Sequence, residues 1–287
     1  MIVTDFAVRK LTPHVGAEIE GVDLSRPLDD RTVALLRAAF DDHVALVFRG
    51  QTLTDDDQLR FASYFGPLGV RKRAPKDIKP GESATRGNIM LVTNIPEAAG
   101  TSAGSYGDGE MWFHADSCYY DVPNRGTFLY SVTLPSHGGN TRIASMYTAW
   151  DNVPAALKAR LEGRRVLQVH DYKRRERLDV DNLDLSKLLH CWQPIVVTHP
   201  ATGRRALYVN RLMSARIEGL ARADSDAILD ELFDIAEDPA IAYEHVWRLG
   251  DLLMWDNWCS IHARTDFPRD EGRLLRRCTI QGQKLEF

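Results

Sequence analysis

The sequence predicts a mainly β fold with flanking helices, arranged as a sandwich or barrel, and three observations carry that prediction. From Met111 onward short apolar runs recur, among them "GTFLYSVTL", "TRIASM", "PIVVTH" and "GDLLMWDN". Turn-forming stretches such as "PSHGGN" and "PATGRR" divide several of them. Helical spacing is confined to a few patches. Many short strands joined by glycine-rich turns pack as facing sheets or close on themselves.

In "DRTVALLRAAFDDH", Val33, Leu36 and Phe40 fall at helical spacing, with Asp29 or Asp30 as N-cap. "VALVF" follows as a short buried strand. "TDDDQLRFASYFG" reads as a second helix: Thr54 caps it, its acidic first turn suits the helix dipole, and Gly66 ends it. Residues from about 67 to 110 differ. Pro75, Pro80, Pro96 and several glycines surround one strand-like piece, "NIMLVTN". Such a segment is expected to be an active-site lid or binding loop, and it carries the basic run Arg71-Lys72-Arg73. Beyond it, "RRVLQVHDY", "RALYVN", "AYEHVWRL" and "LLRRCTIQG" complete the strand set. Two helical patches, "TAWDNVPAALKARLEG" and "DSDAILDELFDIAED", intervene. With no polar linker and no internal repeat, residues 1–287 read as a single domain.

Composition narrows the function. The 287 residues are 44% hydrophobic and 26% charged, with a formal net charge of -4. That is an ordinary globular balance, with no basic surplus for nucleic acid. Four scattered cysteines without a C-x-x-C pair argue against a disulfide scaffold or zinc knuckle. The N-terminus lacks signal-peptide character, and no apolar stretch approaches the roughly 20 residues of a membrane span. A cytoplasmic protein is expected.

The chemistry starts at "WFHADS". In an extended strand, positions i and i+2 share a face, so His114 and Asp116 can reach one point. A buried His–Asp hydrogen bond would use the same pair. Near the C-terminus, "GDLLMWDNWCSIHARTDFPRDEGRLLRRCTIQG" supplies His262, then Arg273 and Arg277. If a strand begins at Arg273, then Arg273, Leu275 and Arg277 point to the same side. A buried guanidinium needs a carboxylate, and here a ligand can provide it. Two histidines and one carboxylate leave three positions open on a metal, the facial triad of non-heme Fe(II) oxygenases.

Over nearly its whole length the chain resembles the taurine dioxygenase and 2,4-dichlorophenoxyacetate dioxygenase family of Fe(II)/2-oxoglutarate-dependent oxygenases. The resemblance is carried in order by "LTPHVGAEIEGVDLSRPL", "VALVFRGQTLTDDDQLRFASYFGPLG", "FHAD", "LPSHGGNT", "GDLLMWDN", His262 and the two arginines. It implies a double-stranded β-helix, or jelly-roll, core. It implies His114, Asp116 and His262 as iron ligands, and Thr141 and Arg273 as the holders of the distal carboxylate of 2-oxoglutarate. Arg277 matches an arginine that meets the substrate's anionic group in some members. The implied reaction consumes O2, decarboxylates 2-oxoglutarate to succinate and CO2, and hydroxylates a small organic anion, with C–heteroatom cleavage where the product collapses. Relatives are often dimers or tetramers, so a homo-oligomer is expected.

The residues that bind taurine in that enzyme are not recognisable in "GVRKRAPKD" or just before His114. Tyr106, Glu110 and Trp112 are the candidate substrate contacts, and Glu110 would suit an amine. Trp255 and Trp258 read as core or as support for the site. Two other readings use the same three ligands: a non-catalytic metal-binding β-helix protein and a metallohydrolase.

Overall fold

The computed structural model describes residues 6–72, 85–95, 111–170 and 177–287. Two sheets form its centre. The longer has seven strands in the spatial order Ala7–Lys10, Ala17–Glu20, Ala45–Phe48, Leu252–Asp256, Gly126–Thr133, Leu274–Ile280 and Met90–Thr93. The shorter has four: Ala242–His245, Thr141–Ser145, Ser260–Arg264 and Met111–His114. From Met90–Thr93 to Thr141–Ser145, and again from Ala242–His245 to Leu274–Ile280, successive strands alternate between the two sheets, which is the jelly-roll core. Pairing is antiparallel except between Ala17–Glu20 and Ala45–Phe48.

Alternation along the strands of the longer sheet separates two cores. Phe128, Tyr130, Leu252, Met254, Cys278 and Ile280 face outward, against Leu36 and Phe40 of helix Asp30–His43 and Phe61 of helix Asp55–Ser63. Phe61 meets Phe48 and Phe128 edge-on, with ring centroids 5.1 and 6.1 Å apart. Leu129, Leu253, Trp255 and Leu275 face the other way. They join a core shared with the shorter sheet and helices Met146–Asn152, Ala155–Leu161 and Arg222–Ala236.

The caps are local. Asp29 accepts from Thr32 N at 2.9 Å, and Thr54 and Asp57 form a reciprocal capping box. Three expectations shift. The helical patch after residue 146 splits at Pro154, which cannot continue a helix through its own N–H. Helix Asp55–Ser63 ends before Gly66. The last strand begins at Leu274 rather than Arg273. Of the expected lid, 73–84 and 96–110 lie outside the described residues, while Met90–Thr93 is a strand that extends the longer sheet.

All four cysteines are free. Among the described residues, no helix is long and apolar enough to cross a membrane.

Candidate active site

The site opens between the two sheets. Register places His262 directly opposite His114 and Ile143, and Arg264 opposite Thr141, so these side chains share the inward face of the shorter sheet. Asp116 lies just past the strand that holds His114. Its carboxylate reaches the longer sheet, where Thr127 Oγ1 donates to Oδ2 at 2.7 Å and Arg277 Nη2 stands 2.6 Å from the same oxygen.

His114, Asp116 and His262 are all buried, and their ligating atoms lie within 4.8 Å of one another. The imidazole rings are 4.1 Å apart, and His262 Nε2 is 3.9 Å from Asp116 Oδ2. His114 Nδ1 sits 2.8 Å from the Trp112 carbonyl. A carbonyl only accepts, so Nδ1 carries the proton and Nε2 keeps its lone pair for a metal. Burial lowers the pKa of both histidines below the ordinary imidazole value, with His262 further depressed by His114. Both are therefore neutral, as ligation requires. Burial works against the charge of Asp116, but Arg277, the two histidines and Thr127 outweigh it and hold the carboxyl well below its usual range. Two neutral imidazoles and a carboxylate suit a first-row divalent metal.

Arg273 enters from the turn before the last strand and is 2% exposed. Its Nη2 donates to Gly139 O at 2.9 Å, while Nε has no hydrogen-bond partner. Burial, and then repulsion from Arg264, push its pKa down to about 9. No carboxylate among the described residues offsets that pressure. A guanidinium at neutral pH keeps its charge, so the position calls for an anion from outside. Thr141, also lining the cleft, accepts from Trp247 Nε1 at 3.2 Å, which leaves its own proton to donate inward. Gly138 and Gly139 both have positive φ, and the close packing of Gly139 on Arg273 fixes the arginine's place.

Val92, Met111, Leu129 and Trp255 supply the apolar wall of the cleft. The cleft brings together His114, Asp116, His262, Thr141, Arg273 and Arg277 as the sequence predicts. It adds Arg264, which the sequence reading overlooked. The signal was available: Arg264 stands two residues after His262 in a strand, the same spacing that linked His114 to Asp116. Trp112 packs against the apolar core and serves His114 through its carbonyl, rather than lining the cleft. Tyr106 and Glu110 lie outside the described residues.

A second group of ligating types, His199, Asp256 and Cys259, is already satisfied. His199 Nε2 meets Asp256 Oδ2 at 3.1 Å, its Nδ1 accepts from Ala201 N, and Arg125 Nε also meets Oδ2 at 3.1 Å. With the cation already there, this group is a structural lock.

Known proteins share this architecture. The 2,4-dichlorophenoxyacetate dioxygenase of Cupriavidus pinatubonensis, named as alpha-ketoglutarate-dependent, is 32% identical over 94% of this chain and 95% of its own. Pentalenolactone F synthase of Streptomyces avermitilis is 33% identical over 92% of this chain and 90% of its own. The crystal structure of AAD-2 in complex with Mn(II) and N-oxalylglycine superposes with a TM-score of 0.78 at 26% identity, covering 98% of this chain and 99% of that one. The family model described as "Taurine catabolism dioxygenase TauD, TfdA family" matches residues 7–279, and the chain belongs to that family of alpha-ketoglutarate-dependent dioxygenases.

Proposed function

We propose that the chain is an Fe(II)- and 2-oxoglutarate-dependent oxygenase that hydroxylates a small organic anion. The observation that carries this reading is Arg273: a buried cation, without a carboxylate partner among the described residues, lining the same cleft as His114, Asp116 and His262. Relatives named as alpha-ketoglutarate-dependent, and a neighbour solved with Mn(II) and a 2-oxoglutarate-like diacid, support it.

His114, Asp116 and His262 would hold the iron. Iron bound there would supply the activation of O2 that is coupled to conversion of 2-oxoglutarate to succinate and CO2. Arg273 pairs with the distal carboxylate and Thr141 donates to it, with Arg264 adding positive potential from the neighbouring strand. Val92, Met111, Leu129 and Trp255 exclude water and accept an apolar substrate body. Arg277, on the same wall, is the residue we assign to the substrate's anionic group, and Tyr106 and Glu110 remain candidate contacts from the segment before His114. A non-catalytic metal-binding protein or a metallohydrolase would give Arg273 no role, and neither reading is supported by the relatives.

The test is anaerobic. Fe(II) and 2-oxoglutarate are added to the metal-free protein and the visible spectrum is recorded, with His262→Ala and Arg273→Ala alongside. A weak charge-transfer band is expected, absent in the first variant and requiring far more 2-oxoglutarate in the second. Tight metal binding with no band in the parent protein would remove the reading's central support. Organic anions are then screened for stimulated succinate release.

A further inference from the structure

Three hydrogen bonds join the candidate ligand Asp116 to a tryptophan on the longer sheet. Trp255 Nε1 donates to Asn257 Oδ1 at 3.0 Å. Asn257 Nδ2 donates to Thr127 Oγ1 at 3.0 Å. Thr127 Oγ1 donates to Asp116 Oδ2 at 2.7 Å. Trp255, Asn257 and Thr127 are at most 1% exposed, so water cannot substitute for any link.

The direction of this chain is forced by chemistry. An indole N–H only donates, so the Asn257 atom facing it must be the oxygen. That settles the amide's orientation and turns its NH2 toward Thr127. The threonine oxygen must then accept from Asn257, and its single proton is left for Asp116. A carboxylate only accepts, so the chain ends there. Trp255 also lays its ring against His262, with centroids 4.5 Å apart. One residue therefore braces one candidate ligand directly and another through two intermediaries.

We propose that Thr127, oriented by Trp255 through Asn257, is a positioning residue that presets the Asp116 carboxylate for metal binding by fixing a hydrogen bond on Oδ2. This rests on the reading of His114, Asp116 and His262 as the metal ligands. Without the chain, Asp116 could turn toward Arg277 alone, and metal binding would have to reorient it. Buried partners that orient a metal's ligands typically contribute 10- to 100-fold in affinity.

The experiment measures Mn(II) affinity by calorimetry and the Co(II) absorption spectrum, neither of which needs turnover. Thr127→Val keeps the shape and deletes the hydroxyl, and Thr127→Ser restores it. Trp255→Phe keeps an aromatic ring beside His262 but removes the N–H that sets the direction. His262→Ala is the control. Thr127→Val is expected to bind Mn(II) at least about 10-fold more weakly, with an altered Co(II) spectrum. Thr127→Ser should stay within about threefold of the parent, and Trp255→Phe should fall between the two. Parent-like Mn(II) affinity and Co(II) spectrum in Thr127→Val overturn the proposal. If Thr127→Val does not fold, Trp255→Phe decides by the same two readouts: weaker Mn(II) binding supports the chain, and parent-like binding overturns it. A parent protein that binds Mn(II) no better than His262→Ala overturns the ligand assignment itself, a different failure from a parent-like Thr127→Val.

Discussion

Gly139 and Arg273 are packed so closely that a β-carbon on the glycine would stand 2.9 Å from the arginine Nε and 3.0 Å from its Cδ. Gly139 also has φ of +63°, where an L side chain is strained by about 1 kcal/mol. Gly139→Ala should therefore displace the guanidinium while the sheets stay intact. Misplacing an anchoring group by about 1 Å can cost on the order of 10²-fold. We expect roughly tenfold or greater loss of N-oxalylglycine affinity in the Mn(II)-loaded protein, with near-parent thermal stability. The neighbouring Gly138→Ala should do the reverse. Its β-carbon would meet the backbone oxygen of Asp266 at 2.2 Å, so melting temperature is the quantity that falls.

Arg273 itself separates stability from binding. Its buried charge gains little from the free protein, since the charged group that bears on it, Arg264, is another cation. Arg273→Met should leave the ligand-free protein as stable as the parent, or more so. The parent should gain about 2.7 kcal/mol when 2-oxoglutarate is present at 100 times its dissociation constant, and the variant should gain almost nothing at that concentration. Anaerobic thermal unfolding with and without 2-oxoglutarate reads both. A parent-sized gain in Arg273→Met would mean that the arginine does not hold the cosubstrate.

What the sequence revealed follows from how local each signal is. The Asp29 and Thr54 caps lie within three residues of the amides they satisfy, and the two-residue period of Leu275 and Arg277 puts both on one face. Spacing links His114 to Asp116, the C-terminal residues add His262 and an inward Arg273 by the needs of a metal and of a buried cation, and family resemblance alone joins Thr141 to them. Residues 7–10 and 17–20 went unread as strands, because four-residue runs such as "AVRK" and "AEIE" carry too few apolar positions to show a period. The Thr127–Asn257–Trp255 chain was invisible for another reason. It joins strands 126–133 and 252–256, far apart in the chain, which pairing within the longer sheet makes neighbours, and no single-strand period encodes it. The same holds for the ion pair of Arg277 with Asp116.

His245 gives the stability a pH dependence. It is fully buried, with Nε2 3.2 Å from Asp251 Oδ2, Nδ1 3.1 Å from Tyr243 Oη and its ring against Trp247. Arg49 pairs with Asp251 from one side and approaches Glu18 from the other. Burial lowers the imidazole's pKa, and Asp251 offsets this only in part. The unfolded chain takes up the proton near pH 6.5, while the folded chain resists it. The stabilising contribution is therefore complete above pH 6.5 and is lost as pH falls through that value, by at most about 1.4 kcal/mol per pH unit. Urea midpoints at pH 7.5 and 5.5 should differ less in His245→Gln than in the parent. An unchanged difference would assign the slope to other groups.

Arg277 and Asp116 form a pair that a bound metal would have to share. Both side chains are largely buried, and Arg277 Nη2 lies 2.6 Å from the oxygen that also receives Thr127. Removing one member of a buried pair leaves the other charge uncompensated, at a cost of about 3–5 kcal/mol. In Arg277→Met that cost falls on the metal-free protein, because a divalent cation beside Asp116 would neutralise the carboxylate in its place. Mn(II) should therefore raise the unfolding free energy of Arg277→Met by more than it raises the parent's, and the variant should bind Mn(II) more tightly. Substrate recognition should move the other way: an organic anion held by Arg277 would need a higher concentration to stimulate succinate release. Equal Mn(II)-induced stabilisation in the two proteins would show that the guanidinium does not compete with the metal for Asp116.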